Sequence, residues 1–453
     1  MRNLLNKRYS WLCLFLCLTL IRGLISAATI PPWQAPDETG RFEYAWLIAR
    51  LGRVPTREDI SATFEQELLA SLYEWHYDEF THRPLPEQMP VQKLDLPPQN
   101  FARRSPVRSG RFSLSYVWQA LFLFPFRSQN LAFQLFVARL SSVLLNLGII
   151  WLAWRTFKEL AFCRTKLVVL MTAVMVFLPQ HTFINSTVGD GTLAEAMACL
   201  VLYSWVCLFR GGSGMWKVLG IVLGTLIGMW SKVTAAFLIP VDIALALWWL
   251  LKQHRRAWAW RHTVYVCVGV AFVGLGLWAW SSSALGTRAF HSLQQLLDST
   301  ELIWVDERGI TFGKALLLTY DSFWANFGWM ALPVGKRWYG AVMAFSLLSV
   351  VGWMAKSPQE TKTSFGALVI MILSFLMAVL IFVVEVLLLK PYYSFQGRYL
   401  FPVLVPYTFL LVNGLDKLFL LHQRWCIAVF LLLSLVCFDA WCFAGYILPY
   451  FYS

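Results

Sequence analysis

The chain has 453 residues, of which 58% are hydrophobic and only 14% charged. A soluble domain carries about 25% charged residues, so the composition excludes a globular soluble enzyme and points to a polytopic membrane protein. The net charge of +13 comes without a Lys/Arg tract of the nucleic-acid-binding kind. It fits membrane topology and contact with anionic lipid or phosphate, and no nucleic acid partner is expected.

Near-continuous apolar runs of about 20 residues read as transmembrane helices. About 11 spans are expected, at residues 11–30, 130–154, 166–184, 192–209, 216–231, 234–251, 262–283, 338–355, 365–388, 399–420 and 425–447. The fifth and sixth are short, either a re-entrant pair or one broken helix. The first follows Arg2, Lys7 and Arg8 and precedes Ser26-Ala27-Ala28, which is also the layout of a cleaved signal peptide. Its length, and the many spans behind it, favour a retained span. The nine cysteines lie in or beside apolar runs and form no CxxC or Cys/His cluster, so neither a disulfide framework nor a zinc site is expected.

Orientation follows from the short loops. Those on the N-terminal side carry 17 basic residues, from Arg2 to Arg424, against three acids, Glu159, Glu360 and Asp416. The positive-inside rule makes this face cytoplasmic. The N-terminus is then cytoplasmic, the C-terminus extracytoplasmic, and the expected location the inner (plasma) membrane.

The opposite face holds a long first loop, residues 31–128. Thr39 to Arg50 is expected to be helical, with Phe42, Ala45, Trp46 and Ala49 on one face and Gly52 ending it. Such a helix can lie in the membrane interface. Glu58 to Trp75 is a second helical candidate. Residues 84–98 are Pro-rich, and Arg103, Arg104, Arg108 and Arg111 form a cationic cluster. A second long outer loop spans 284–337.

Four polar constellations fall on this outer face. Asp37-Glu38 directly follows the first span. Asp37 would cap the helix near Thr39 and Glu38 would stabilise its positive end; equally, a desolvated carboxylate here could act as a general base. His181 to Gly191 forms the next outer hairpin, where Asp190 precedes a helix as N-cap or reactive acid, and Glu195 lies one turn deeper. Tyr320 to Trp329, with Asp321 and Trp324, followed by Lys336-Arg337, has the aromatic and acidic character of a sugar site or of an interfacial helix. Lys390 to Pro402, with Gln396, Arg398 and Tyr399, suits a lipid-linked phosphate as well as interfacial anchoring. Within the spans, Asp242 and Glu385 are expected to pair across helices or line a polar cavity, with Arg139 a candidate partner for one of them, and Arg22 to snorkel.

Three motifs occur in order: Pro36-Asp37-Glu38 with Arg41 and Ala45; Ser322-Phe323-Trp324 with Phe327-Gly328-Trp329; and Gln396-Gly397-Arg398-Tyr399 with Pro402. Together they resemble the signatures of a large bacterial family of multi-spanning membrane proteins of unknown function. That family is similar in layout to the GT-C superfamily of glycosyltransferases, which includes protein mannosyltransferases, oligosaccharyltransferases and the enzyme that adds aminoarabinose to lipid A. The resemblance implies a single all-α, GT-C-like transmembrane domain over residues 1–453. It implies a polyprenyl-phosphate-linked sugar donor and an envelope glycan, lipid or protein acceptor on the outer side. Asp37 or Glu38 would be catalytic and Arg398 or Lys390 would hold the donor phosphate. Arg41 stands where relatives commonly carry His, and of an Asn-Asn-Asp-like element only Asp190 carries over.

The expected activity is therefore glycosyl transfer. The alternatives are a flippase for a polyprenyl-linked glycan and a non-catalytic assembly subunit. Arg41, Asp190, Asp321, Trp324, Lys336, Arg337, Lys390, Gln396, Arg398 and Tyr399 are the expected substrate contacts. A divalent Mg or Mn ion fits only if Asp37, Glu38 and Asp190 converge; neutralisation by Arg and Lys alone is the equal alternative.

Overall fold

The computed structural model describes residues 2–60, 62–81, 106–161, 164–211, 214–253, 311–355, 365–388, 395–418 and 424–452. The helices are α1 (Arg2–Thr29), α2 (Glu38–Leu51), α3 (Ala62–Glu74), α4 (Tyr77–Thr81), α5 (Pro106–Ser109), α6 (Leu114–Leu123), α7 (Leu131–Leu160), α8 (Thr165–Val176), α9 (Pro179–Asn185), α10 (Gly191–Phe209), α11 (Met215–Ser231) and α12 (Leu238–Gln253). They continue with α13 (Phe312–Trp324), α14 (Lys336–Met354), α15 (Phe365–Leu388), α16 (Leu404–Leu418) and α17 (Arg424–Cys442). A two-residue hairpin, β1 (Asn326–Phe327) against β2 (Leu332–Pro333), is the only sheet among the described residues.

This is an all-α fold with membrane-spanning helices. Six stretches are long and apolar enough to cross a bilayer: Ser10–Thr29, Leu131–Leu160, Gly191–Phe209, Phe365–Val384, Gly397–Leu418 and Cys426–Tyr452. The bent pair α8–α9, which turns by 57°, makes a seventh if counted as one span. Of the 11 expected spans, 216–231 and 234–251 are helical but shorter, 338–355 is helical but falls outside the six, and 262–283 lies outside the described residues. Leu14, Ile21, Leu24 and Ile25 stay exposed on α1, as apolar side chains in a lipid-facing helix do.

α7 is the central spine. It packs on α1, α8 and α10, while α10 in turn packs on α11, and α14 on α16. The described residues between α1 and α7 build a second core on the end of this bundle. Trp33, Phe42, Trp46, Phe64, Leu68, Leu72 and Tyr116 close it, with the Trp46 and Phe64 rings 4.4 Å apart. Each such buried side chain contributes about 1.5–3 kcal/mol. The expected interfacial helix is α2, ended by Gly52 in the left-handed region with its amide on the Ile48 carbonyl at 2.9 Å. Ten of its 14 residues are buried, so α2 is enclosed by protein instead of lying flat with one face exposed. α6 covers it.

Candidate functional site

Asp37 occupies the residue before α2 in a left-handed conformation, φ 62°. That region is sparsely used by residues other than Gly, Asn and Asp. Its side chain makes no capping bond. Instead its Oδ2 accepts from the Arg398 guanidinium at 2.9 Å and from the Arg41 guanidinium at 3.3 Å. Both guanidinium groups also donate to the Pro36 carbonyl, at 3.3 and 3.1 Å. Asp190, the residue before α10, likewise leaves its helix uncapped. Its Oδ1 sits 3.3 Å from Arg41 and 2.8 Å from Lys232 Nζ.

The result is an alternating row, Arg398–Asp37–Arg41–Asp190–Lys232, drawn from four separate parts of the sequence. Three cations face two carboxylates, which leaves one positive charge in excess. The Tyr399 ring lies 4.9 Å from Lys232 Nζ and 5.4 Å from the Arg398 guanidinium carbon, within cation–π range. The side chains of Asp37 and Asp190 are 31% and 21% exposed, whereas the three cations are nearly enclosed. The acids are thus the accessible members of the row.

Burial opposes ionisation of Asp37, but Arg41 and Arg398 outweigh it and hold its carboxyl below the usual range. The same balance, with Arg41, Lys232 and Arg398 against burial, holds Asp190 low. Burial is the main cause that pulls the Lys232 ammonium down to about 8; Asp190 opposes it, and Arg41 and Arg398 add to it.

The scaffold of the row is equally specific. Ser322 and Phe323 at the end of α13 meet Gln396-Gly397. The Gly397 amide donates to Ser322 Oγ at 2.8 Å. A Cβ on Gly397 would fall 2.2 Å from the Phe323 backbone, so only glycine allows this approach. The contact seats the 3₁₀ turn Gly397–Val403, and with it Arg398. On α6, Gln119 donates to the Gly189 carbonyl at 2.8 Å and Ser115 to the Asp190 carbonyl at 2.9 Å. All three sequence motifs, from residues 36 to 402, therefore meet in one place.

Glu38 has a different setting. Its two oxygens accept from Arg139 Nε and an Arg139 terminal nitrogen at 2.9 and 2.7 Å, and from the Trp33 and Val188 amides at 3.1 Å each. It is fully buried. Arg139 also donates to the Ala27, Ile30 and Pro31 carbonyls. The pair ties the end of α1, the middle of α7 and the 181–190 hairpin together. Arg139 therefore pairs with Glu38, not with Asp242; Asp242 accepts from Trp205 and Thr225 at 2.6 and 2.5 Å. Arg22 pairs with Asp439 in the membrane rather than snorkelling.

Of the expected contacts, Arg41, Asp190, Arg398 and Tyr399 reach the row, and Gln396 is buried directly beside it. Among the described residues no hydrogen bond or ion pair joins Asp321, Trp324, Lys336 or Arg337 to it. Trp324 packs against Phe323 and Tyr407, Asp321 is half-buried, and Lys336 and Arg337 are exposed. Lys390 lies outside the described residues. Sequence reasoning missed Lys232 and Arg139's true partner. Lys232 carried a signal: it is a cation in the turn between the expected fifth and sixth spans, on the outer side of the expected topology.

Arg41 stands between Asp37 and Asp190, and Glu38 turns away to Arg139, so those three acids do not converge. No three His, Cys, Asp or Glu among the described residues form a ligand set. Hard divalent ions need several oxygen ligands, and two carboxylates already engaged by cations do not fit a resident Mg or Mn. Comparison with protein-family models, curated proteins and solved structures returns no match.

Proposed function

We propose that the chain is an extracytoplasmic glycosyltransferase that moves a sugar from a polyprenyl-phosphate-linked donor to an envelope glycan, lipid or protein. In this reading the long loops 31–128 and 284–337 face outward and the spans number about 11. The observation that carries it is the row itself: two accessible acids interleaved with three enclosed cations, one charge in excess, where helix ends meet the outer-loop core. Arginine and lysine in this geometry suit the phosphate of a lipid-linked donor.

The chemistry follows from the row. Donor phosphate oxygens compete with Asp37 for Arg398 and Arg41. As those cations turn to the donor, Asp37 loses the charges that depress its proton affinity and becomes a stronger base. It then takes the proton of an acceptor hydroxyl, whose oxygen bonds to the anomeric carbon from the face opposite the phosphate. The bond from that carbon to the phosphate oxygen breaks, and polyprenyl phosphate leaves with the electron pair. Arg398, Arg41 and Lys232 stabilise the departing charge. Glu38, with both oxygens committed, is the anchor beside the base.

The test replaces Asp37 by Asn and Glu38 by Gln singly and profiles surface glycans by mass spectrometry. Loss of one sugar in Asp37→Asn, at normal protein level and donor supply, is expected. Unchanged glycans sink the proposal, and donor accumulating on the inner leaflet marks a flippase instead.

A further inference from the structure

His181 and Glu195 form a second buried pair, which the reaction proposed above does not use. His181 lies on α9 and Glu195 on α10, two helices joined by the hairpin 186–190. His181 Nε2 and Glu195 Oε1 are 2.7 Å apart, and each side chain is 1% exposed. Asn185, the last residue of α9, brings its amide nitrogen within 2.8 Å of His181 Nε2 and donates to Glu195 Oε2 at 3.2 Å. Its carbonyl oxygen accepts from Thr192 Oγ1, in the first turn of α10, at 2.9 Å. The hairpin is thereby closed at its base. A polar cluster so enclosed is costly unless each member keeps its partners, so this closure is firmly held.

The closed hairpin carries Asp190, whose Oδ1 lies 2.8 Å from Lys232 Nζ. Asp190 makes no capping bond to α10, so the helix start itself does not hold its carboxylate. α6 fixes the Gly189 and Asp190 carbonyls from one side, and the Thr192–Asn185 bond closes the other. The His181 ring also meets the Phe401 ring edge to face, with 5.3 Å between centroids, and Phe401 belongs to the turn that carries Arg398. The pair therefore backs the seats of both Asp190 and Arg398. We infer that His181 and Glu195 are positioning residues, which act through Asn185 and Thr192 to hold the Asp190 carboxylate at ion-pair distance from Lys232. As a role in transfer this rests on the reading proposed above; as geometry it does not. The consequence is readable on Lys232. Burial lowers its proton affinity most, Arg41 and Arg398 add to that, and Asp190 opposes them, which leaves the ammonium at about 8. Withdrawing Asp190 lowers that midpoint further, because an opposite charge this close shifts it by about 1–3 pH units.

The experiment follows acylation of Lys232 by acetic anhydride against pH in the purified full chain in detergent, read by peptide mass spectrometry. Asp190→Asn sets the scale, with the midpoint expected to fall by about one pH unit or more. Glu195→Met removes both acceptors, and Thr192→Val removes only the hydroxyl that closes the hairpin. Each is expected to lower the midpoint by about half a pH unit or more, whereas Thr192→Ser, which restores a hydroxyl, is expected to keep it. Loosened packing that leaves Asp190 in place would lower the unfolding temperature without moving the midpoint. A wild-type midpoint in folded Thr192→Val therefore overturns the assignment, as does an unmoved midpoint in Asp190→Asn or an equal fall in Thr192→Ser. Should Glu195→Met fold poorly, Thr192→Val carries the test, since it leaves His181 and Glu195 intact. The midpoint is read without donor or acceptor. Shifted midpoints alongside unchanged surface glycans in Asp37→Asn would uphold the positioning and end the glycosyltransferase reading.

Discussion

Asp37 offers one oxygen to two guanidinium groups and keeps 31% of its side chain exposed. Glu38, its neighbour in sequence, places both oxygens on Arg139 and two backbone amides and has no exposure. One of the cations on Asp37, Arg41, also reaches a second acid, Asp190, so another anion can draw it away at modest cost. The one cation on Glu38, Arg139, also holds three backbone carbonyls, so it cannot leave without unpairing a buried helix junction. Exchangeable partners mark the group available for chemistry, and saturated partners mark the structural one.

The sharpest way to break this comparison is Asp37→Asn. It keeps size and hydrogen bonding but removes the carboxylate proposed as the base. Transfer is expected to fall by about 10²–10⁴-fold, with the unfolding temperature close to wild type. Equal loss of folded protein would erase the distinction between the two acids.

Arg139→Ala should do the reverse. It leaves Glu38 buried and unpaired, which costs about 3–5 kcal/mol. A protein's total stability is about 5–15 kcal/mol, so thermal unfolding in detergent should shift strongly and yield should drop. Adding Glu38→Leu to Arg139→Met is expected to recover part of that loss, since removing both partners avoids the lone charge.

How much of this was open to inspection in the sequence depends on the range of the interaction. Apolar runs and Gly52 report local structure, so the helical membrane class, α2 and its end were legible. Asp37, Asp190 and Arg398 could be placed on one face from topology alone. Their neighbours could not: Arg139 meets Glu38 across 101 residues, and no periodicity encodes which acid a buried arginine selects. Asp37 and Asp190 both sit where N-caps sit, yet neither side chain caps, because two cations compete better for a carboxylate than backbone amides do. The enclosure of α2 was hidden because its buried faces include Arg41 and Glu43, which a reading of amphipathicity assigns to solvent.

Gly397→Ala tests the scaffold between the two acids' surroundings. Its Cβ would meet the Phe323 backbone at 2.2 Å, an overpacking that costs about 1–3 kcal/mol. The 3₁₀ turn must shift and carry Arg398 with it. Donor affinity should therefore fall together with the unfolding temperature, whereas Arg398→Lys should lower affinity at nearly unchanged stability.

The smallest expected effect separates the ends of the charge row by pH. Burial holds the Lys232 ammonium at about 8, so it is charged below that pH and neutral above it. Asp37 and Asp190 are held low and stay ionised across this range. Only Lys232 changes, and the row drops from three cations to two. Affinity for polyprenyl phosphate, measured by intrinsic fluorescence, should weaken as pH rises through about 8, by about tenfold at pH 9. Lys232→Gln should bind more weakly at pH 7 and lose the dependence. A dependence that survives in Lys232→Gln would move the titration to another group and leave Asp190 as the only function of that lysine.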